Sequence, residues 1–125
     1  MTKLLIDTNI LIDHLRGDPQ ASVLLQDVAA GRVRASISII TEAELLAWPA
    51  LRPGDIRAMD ALLAMFPKIA VTSRVARTAA QLRRAYPIEI PDALIAATAM
   101  LAHATLVTRN TKHFAPLRGL HLRSL

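Results

Sequence analysis

Apolar positions along this chain switch repeatedly between short unbroken runs and helical spacing, and the switches mark out its elements. Leu4–Ile6 is an aliphatic run with no polar face, which predicts a strand buried on both sides. Asp7 closes the run, and Thr8 or Asn9 is placed to cap a helix with Ile10, Leu11, Ile12 and Leu15 on its apolar side. Gly17-Asp18-Pro19 breaks the pattern. Asp18 caps a second helix with Pro19 in its first position, Val23, Leu24, Val28 and Ala29 repeat along it, and Gly31 ends it. Ala35–Ile39 alternates small or polar residues with isoleucine and reads as a second strand. Thr41 opens a helix through Glu42, Ala43, Glu44, Leu45 and Leu46 that stops before Pro49.

Arg52-Pro53-Gly54-Asp55 is a turn, followed by a helix through Ile56, Met59, Leu62, Leu63 and Phe66 that Pro67 stops. Ile69–Val71 is a third strand. Ser73 caps a helix with Val75, Ala76, Ala79, Leu82 and Ala85 on its apolar side and Arg74, Arg77, Arg83 and Arg84 elsewhere, closed by Pro87. Ile90-Pro91-Asp92 opens an alanine-rich helix over 93–102. Thr105–Val107 is a fourth strand, Thr108–Lys112 a polar loop, and Leu120–Leu122 an edge strand. Strands and helices alternate throughout, so the expected fold is α/β, a three-layer α/β/α sandwich with a central parallel sheet. Residues 1–125 form a single domain of a size that supports a real core. The 93–102 helix is apolar nearly all round, which suits burial against the sheet and against a second copy of the chain.

Composition narrows the function classes. Hydrophobic residues make up 53% of the chain, which argues against disorder. Aromatics are 3%, so base stacking on aromatic platforms is not its main way of holding nucleic acid. Fifteen Lys and Arg against ten Asp and Glu give a net charge of +5, compatible with a polyanionic partner. The absence of Cys removes disulfides and thiolate zinc sites and fits the cytoplasm. Asp7 interrupts any signal-like apolar run, and 93–102 is too short to span a bilayer, so no membrane role is expected.

Three carboxylates stand in apolar surroundings: Asp7, Glu44 and Asp92. Asp7 ends a strand, where α/β sheets place their ligand crevice, although an acid there also serves as a helix cap. Asp92 precedes an apolar helix and equally suits a cap. Ile40, Ala43 and Ala47 define an inward side of the third helix, on which Glu44 falls, while Glu42 lies largely opposite. An ion pair with one of the many arginines is the other reading of Glu44. Burying several acids is costly unless a cation compensates, and hard cations such as Mg²⁺ or Mn²⁺ take oxygen ligands. His14, His103, His113 and His121 are scattered, giving zinc little support.

The segments Leu5-Ile6-Asp7-Thr8-Asn9, Ile40–Leu45, Pro91–Ala99 and Leu106–Phe114, taken in order, resemble the successive motifs of PIN domains. The similarity is strongest to the VapC-like toxins of bacterial and archaeal toxin–antitoxin pairs. The motifs run from Leu5 to Phe114, so the resemblance covers nearly the whole chain. It implies a Mg²⁺- or Mn²⁺-dependent endoribonuclease, with Asp7, Glu44 and Asp92 holding the metal and leaving a 5′-phosphate and a 3′-hydroxyl. The last motif usually supplies a further acid, and here it offers Asn110 and His113. Asn110 is the expected catalytic stand-in, orienting a water or phosphate through its amide. Arg109 is the expected substrate-binding residue, Lys112 an ordinary solvated charge, His113 a loop residue beside Phe114, and Trp48 a packing residue. The resemblance further implies an RNA substrate, a cognate protein antitoxin (VapB-like) and a homodimer.

Other readings compete. A haloacid-dehalogenase-type phosphatase wants a second Asp two residues after the first, where this chain has Asn9. A phospho-receiver wants paired acids earlier, and Met1–Ile6 has none. The missing fourth acid also leaves a catalytically inactive PIN-like RNA- or protein-binding domain as the alternative to the nuclease.

Overall fold

The computed structural model describes residues 2–48 and 52–125. Five strands, β1 (Lys3–Ile6), β2 (Arg34–Ser38), β3 (Lys68–Ile69), β4 (Thr105–Thr108) and β5 (Leu122–Ser124), form one sheet in the order β3-β2-β1-β4-β5. Every pairing is parallel. The helices are α1 (Thr8–Leu15), α2 (Pro19–Ala29), α3 (Ile39–Leu46), α4 (Pro53–Leu63), α5 (Ser73–Ala85), α6 (Ile90–Leu101) and the single turn α7 (Thr111–Phe114).

The first strand has no polar face because it lies at the centre of the sheet. Leu4 and Ile6 enter one core with Ile10, Leu11, Leu24, Leu25, Leu45 and Leu62 from α1–α4. Leu5, pointing the other way, enters a second core with Val75 and Leu82 of α5, Ile95 and Ala96 of α6, and Phe114. This alternation makes the three expected layers. From β1 the chain adds β2 and β3 on one side, then returns to lay β4 and β5 on the other. The order therefore reverses between β1 and β4, and the crevice of an open α/β sheet opens at such a switch.

The elements match the sequence pattern, but their starts do not. Helix α1 is capped by Asp7 rather than by Thr8 or Asn9. Ser38 caps α3, its side chain accepting from the Ile40 N–H at 3.0 Å, so Thr41 is an interior helical residue. Thr72 caps α5 in place of Ser73. The cause is common to the first two: strand passes straight into helix with no loop, so two apolar runs merge and hide the boundary. Likewise Pro53–Asp55, read as a turn, is the first turn of α4. Strand β3 is only two residues long, Thr108 belongs to β4, and β5 begins at Leu122. Pro49, the expected stop of α3, lies outside the described residues. Much of the apolar surface of α6 is buried within the chain, since α5 and α6 pack together in one core, while Ile90 at its start stays exposed.

Phe114 is fully buried and closes the α5–α6 side of the core through the one-turn helix α7. Phe114→Ala is expected to destabilise the fold by about 3–5 kcal/mol, read as a lower urea midpoint at unchanged m-value. A loss well under 1 kcal/mol would mean that α7 does not seal this core.

Candidate active site

Asp7 follows the last residue of the central strand, and its backbone N–H donates to the Val107 carbonyl at 3.0 Å, continuing the β1–β4 pairing. Its side chain is only part of what caps α1. Oδ1 accepts from the Thr8 N–H at 2.8 Å, and Oδ2 accepts from the Thr108 hydroxyl at 2.7 Å. The Thr108 oxygen accepts in turn from the Asn110 N–H at 3.0 Å. A buried carboxyl group with 5% of its residue exposed is thus gripped from both flanking segments. Both expectations for Asp7 hold together: it caps a helix, and it lines a cleft.

Glu44 reaches the same cleft by a different route from the one its spacing suggested. The buried face of α3 carries Thr41 and Leu45, while Ala43, Ala47 and Glu44 itself are exposed, so Glu44 is not on a core-facing side. It faces the cleft mouth instead, where Oε1 accepts from the Thr8 hydroxyl at 2.8 Å. Thr8 and Thr41 hydroxyls are 3.0 Å apart. Thr8 has one hydroxyl hydrogen, which an ionised Glu44 claims, so Thr41 is the donor in that second contact. A chain Thr41–Thr8–Glu44 results. Asp92 is half-buried in the first turn of α6, where unpaired backbone N–H groups favour an acid.

Asp7, Glu44 and Asp92 line one cavity of about 300 Å³ together with Thr8, Asn9, Ile12, Ala47 and Trp48. No cationic side chain is among its described lining residues. Asp92 also borders a second cavity of about 290 Å³ beside Glu89 and His113, with His113 Nδ1 3.6 Å from Asp92 Oδ2. Burial pushes the Asp7 carboxyl above its ordinary range, opposed by the Thr108 and Thr8 hydrogen bonds, reinforced by the charge of Asp92 and weakly offset by His113. Partial burial likewise raises Glu44, against the Thr8 hydrogen bond and with the charges of Asp7 and Asp92. The acids therefore repel one another across a cavity with no cationic side chain among its described lining residues, His113 standing outside it beside Asp92. Among the described residues, no three acids or histidines converge at metal-ligating spacing.

Arg109 is not available in the way expected of a substrate-binding residue. Its guanidinium sits between α1 and the start of α2, with Nε 3.1 Å from Asp13 Oδ2 and Nη2 paired to Asp18. Two carboxylates hold it, so it acts as a clamp between the β4–α7 connection and the first two helices. The Asn110 side chain makes no capping bond and is not among the lining residues of the acidic cavity, so its observed contribution is the backbone bond to Thr108. Lys112 is exposed, as expected. Trp48 lines the cavity and stacks under Arg16, with the guanidinium carbon 4.9 Å from the ring centroid. His14 Nδ1 lies 2.9 Å from Ser22 Oγ, away from the acidic cavity. The sequence pattern gives Thr41 only a place at a helix start and Thr108 only a place in a loop, and neither a role at the site. The signal for Thr108 was its register: Ile6 pairs with Val107, which sets Thr108 level with Asp7.

The family model for the PIN domain matches residues 4–119. The chain belongs to the PIN-domain family. This PIN domain is similar to Ribonuclease VapC19 of Mycobacterium tuberculosis, 38% identical over 115 residues that cover 88% of this chain and 90% of that protein. Ribonuclease VapC10 of the same organism is 35% identical over 116 residues, covering 89% and 85%. Among solved structures, a toxin–antitoxin complex from Klebsiella pneumoniae superposes with a TM-score of 0.79 at 36% identity, covering 94% of each chain. VapBC2 from Rickettsia felis, bound to a DNA fragment from its promoter, gives a TM-score of 0.84 over 99% of each chain, and at 23% identity it speaks for the fold alone.

Two predictions follow from the carboxylates of this PIN domain. Asp7 and Glu44 hold protons more tightly folded than unfolded. The native state thus binds more protons, and stability falls as pH rises from the ordinary carboxylate range, about pH 4, through the raised folded values. Below the unfolded values this penalty is absent. Urea denaturation in EDTA should show that decline, and Asp7→Asn should flatten it. An equal decline in the variant would show that Asp7 is not its source. Thr108→Val keeps the shape but removes the bond to Asp7 Oδ2. It should move the Asp7 titration upward in a carboxyl-carbon NMR experiment, and an unmoved titration would rule out the bond.

Proposed function

We propose that this PIN domain is a divalent-metal-dependent endoribonuclease and the toxin of a toxin–antitoxin pair. The observation that carries the reading is the cavity shared by Asp7, Glu44 and Asp92 with no cationic side chain lining it. Family membership and the ribonuclease names of relatives at 38% and 35% identity support it.

The donor set fits a hard cation: three carboxylates, two of them pushed toward protonation by burial and by neighbouring acids. Asp7, Asp92 and Glu44 would hold Mg²⁺ or Mn²⁺, which supplies charge neutralisation at the phosphodiester and acidifies a water. The chain's own residues set the geometry. Thr108 and the Thr8 N–H fix both oxygens of Asp7. Thr8 occupies Glu44 Oε1, so Oε2 is the oxygen that would either complete the cation site or take a proton from the attacking water. Water oxygen would bond to phosphorus as the bond to the 3′-oxygen breaks, and the proton lost by the water passes to that oxygen, so that the products are a 5′-phosphate and a 3′-hydroxyl. Asn110 contributes through its backbone bond to Thr108, and Arg109 by holding the β4–α7 connection.

In this reading a cognate antitoxin of the VapB kind covers the cleft. The neighbouring Klebsiella structure, a toxin–antitoxin complex at 36% identity, supports it. A homodimer is also proposed, supported by exposed Ile39 and Leu46 on α3 and Ile56 on α4. No described helix is long and apolar enough to cross a membrane, and the compartment proposed is the cytoplasm, where RNA and antitoxin meet.

The test is cleavage of total cellular RNA by the purified chain, freed of any partner, in Mg²⁺, Mn²⁺ or EDTA. Metal-dependent cutting is expected, reduced at least about 100-fold by Asp7→Asn or Asp92→Asn. The second reading, an inactive binding domain, is favoured by the lack of converging ligands among the described residues. RNA binding without turnover under any metal would select it and sink the first.

A further inference from the structure

The charge of this chain is not spread over its surface. Between Asp60 and Glu89 the sequence carries Lys68, Arg74, Arg77, Arg83 and Arg84 and no acid. The other ten Lys and Arg are matched by all ten Asp and Glu, so this one segment holds the whole formal charge of +5. Four of its five cations are on α5. At 100° per residue, Arg74, Arg77, Gln81 and Arg84 fall on one face of that helix, opposite the buried Val75, Ala79 and Leu82. All three arginines of the face are exposed. Among the described residues, none of the α5 arginines forms an ion pair. From Arg74 to Arg84 the face runs about 15 Å along the 13-residue helix.

The placement of this face relative to the acids is set by connectivity. The carboxyl end of α5 is joined by Tyr86–Glu89 to α6, whose third residue is Asp92. Pro87, Ile88 and Glu89 of that link line the cavity that Asp92 shares with the acidic cleft. A basic track thus leads over a short link to the acids.

We propose that the Arg74–Arg77–Arg84 face of α5 is where this PIN domain binds the phosphate backbone of its RNA substrate, delivering the strand past Glu89 to the acidic cleft. The proposal rests on the ribonuclease reading and adds the binding surface that reading lacks, since Arg109 is engaged by Asp13 and Asp18. The local explanation covers only part of the pattern. Arg83 and Arg84 favour the negative end of the helix dipole, but Arg74 sits in the first turn, where a cation is unfavourable. Arg74 and Arg77, three apart, repel each other. A face that is locally unfavourable and unneutralised fits a polyanion, and it disfavours a second copy of the same basic helix.

The test compares Arg77→Gln/Arg84→Gln with Lys3→Gln/Arg34→Gln, which removes two cations from the opposite, amino-terminal end of β1 and β2. Affinity for a fluorescein-labelled single-stranded RNA of mixed sequence is measured in EDTA across a salt series. Wild type should show a log–log slope that the α5 variant lowers by about 1.4, at about 0.7 per phosphate contact on a single strand, with the control unchanged. Cleavage in Mg²⁺ should show KM raised roughly tenfold with kcat retained. Thermal unfolding should place both variants within a few degrees of wild type, because all four side chains are exposed and none of them forms an ion pair among the described residues. Equal slopes for wild type and the α5 variant, in protein that binds and cuts RNA, would overturn this proposal alone. So would an α5 variant that loses antitoxin binding but keeps RNA binding. Wild type that neither binds nor cuts RNA would overturn the ribonuclease reading as well.

Discussion

The hydrogen bond from Thr108 to Asp7 is the interaction on which the site depends. It joins residues 101 apart in sequence, across the β1–β4 boundary where the sheet order reverses. A carboxyl group that follows the buried residues Leu4–Ile6 is costly to ionise, and the structure answers with hydrogen-bond donors from both sides. Thr108 is itself oriented by the Asn110 N–H, and the loop holding both is tied to α1 and α2 through Arg109. Position of the acid therefore depends on the packing of three separate segments. This explains why Arg109, a surface-type residue in sequence, is held by two carboxylates: it fixes the loop that fixes the acid.

The same logic governs Glu44. Its hydroxyl chain through Thr8 and Thr41 links α1 to α3, so the two helices that follow the central strands share one hydrogen-bonded unit at the cleft. Thr8 thereby serves both acids at once, with its N–H on Asp7 and its hydroxyl on Glu44. Neither bond fully compensates burial, and both carboxyls remain raised. Both acids thus hold their protons more tightly than in water, in a cavity with no cationic side chain among its described lining residues.

Much of this was legible from the chain itself, and the reasons differ by feature. The unbroken apolar run Leu4–Ile6 and the alternation of strand and helix patterns are direct consequences of a central parallel strand, so the fold class could be read. Asp18-Pro19 was read correctly because cap and first-turn proline act locally, and the structure shows both. Ser38 could not be read as a cap, since Ile37, Ile39 and Ile40 surround it and satisfy either period. Apolar spacing puts Glu44 on a side with Ala43 and Ala47, yet both are exposed, and the helix faces its core with Thr41 and Leu45. Polar residues on a buried face defeat an apolar pattern. Arg109 and Thr108 needed strand order and register, which are tertiary facts.

The separation of charge is the last consequence of this arrangement. The ten acids and ten of the basic residues balance, partly through local pairs such as Arg32–Asp27 and Arg52–Asp55 at the surface. The three cleft acids take no part in such pairs with Lys or Arg among the described residues, and neither do the arginines of α5. The unpaired charges of the two signs thus lie on different elements, joined by the short link Tyr86–Glu89. Direct pairing between them would have stabilised the chain locally. Keeping them apart leaves each free to act on a partner, and a phosphodiester strand with its counter-ion is a ligand that engages both signs together.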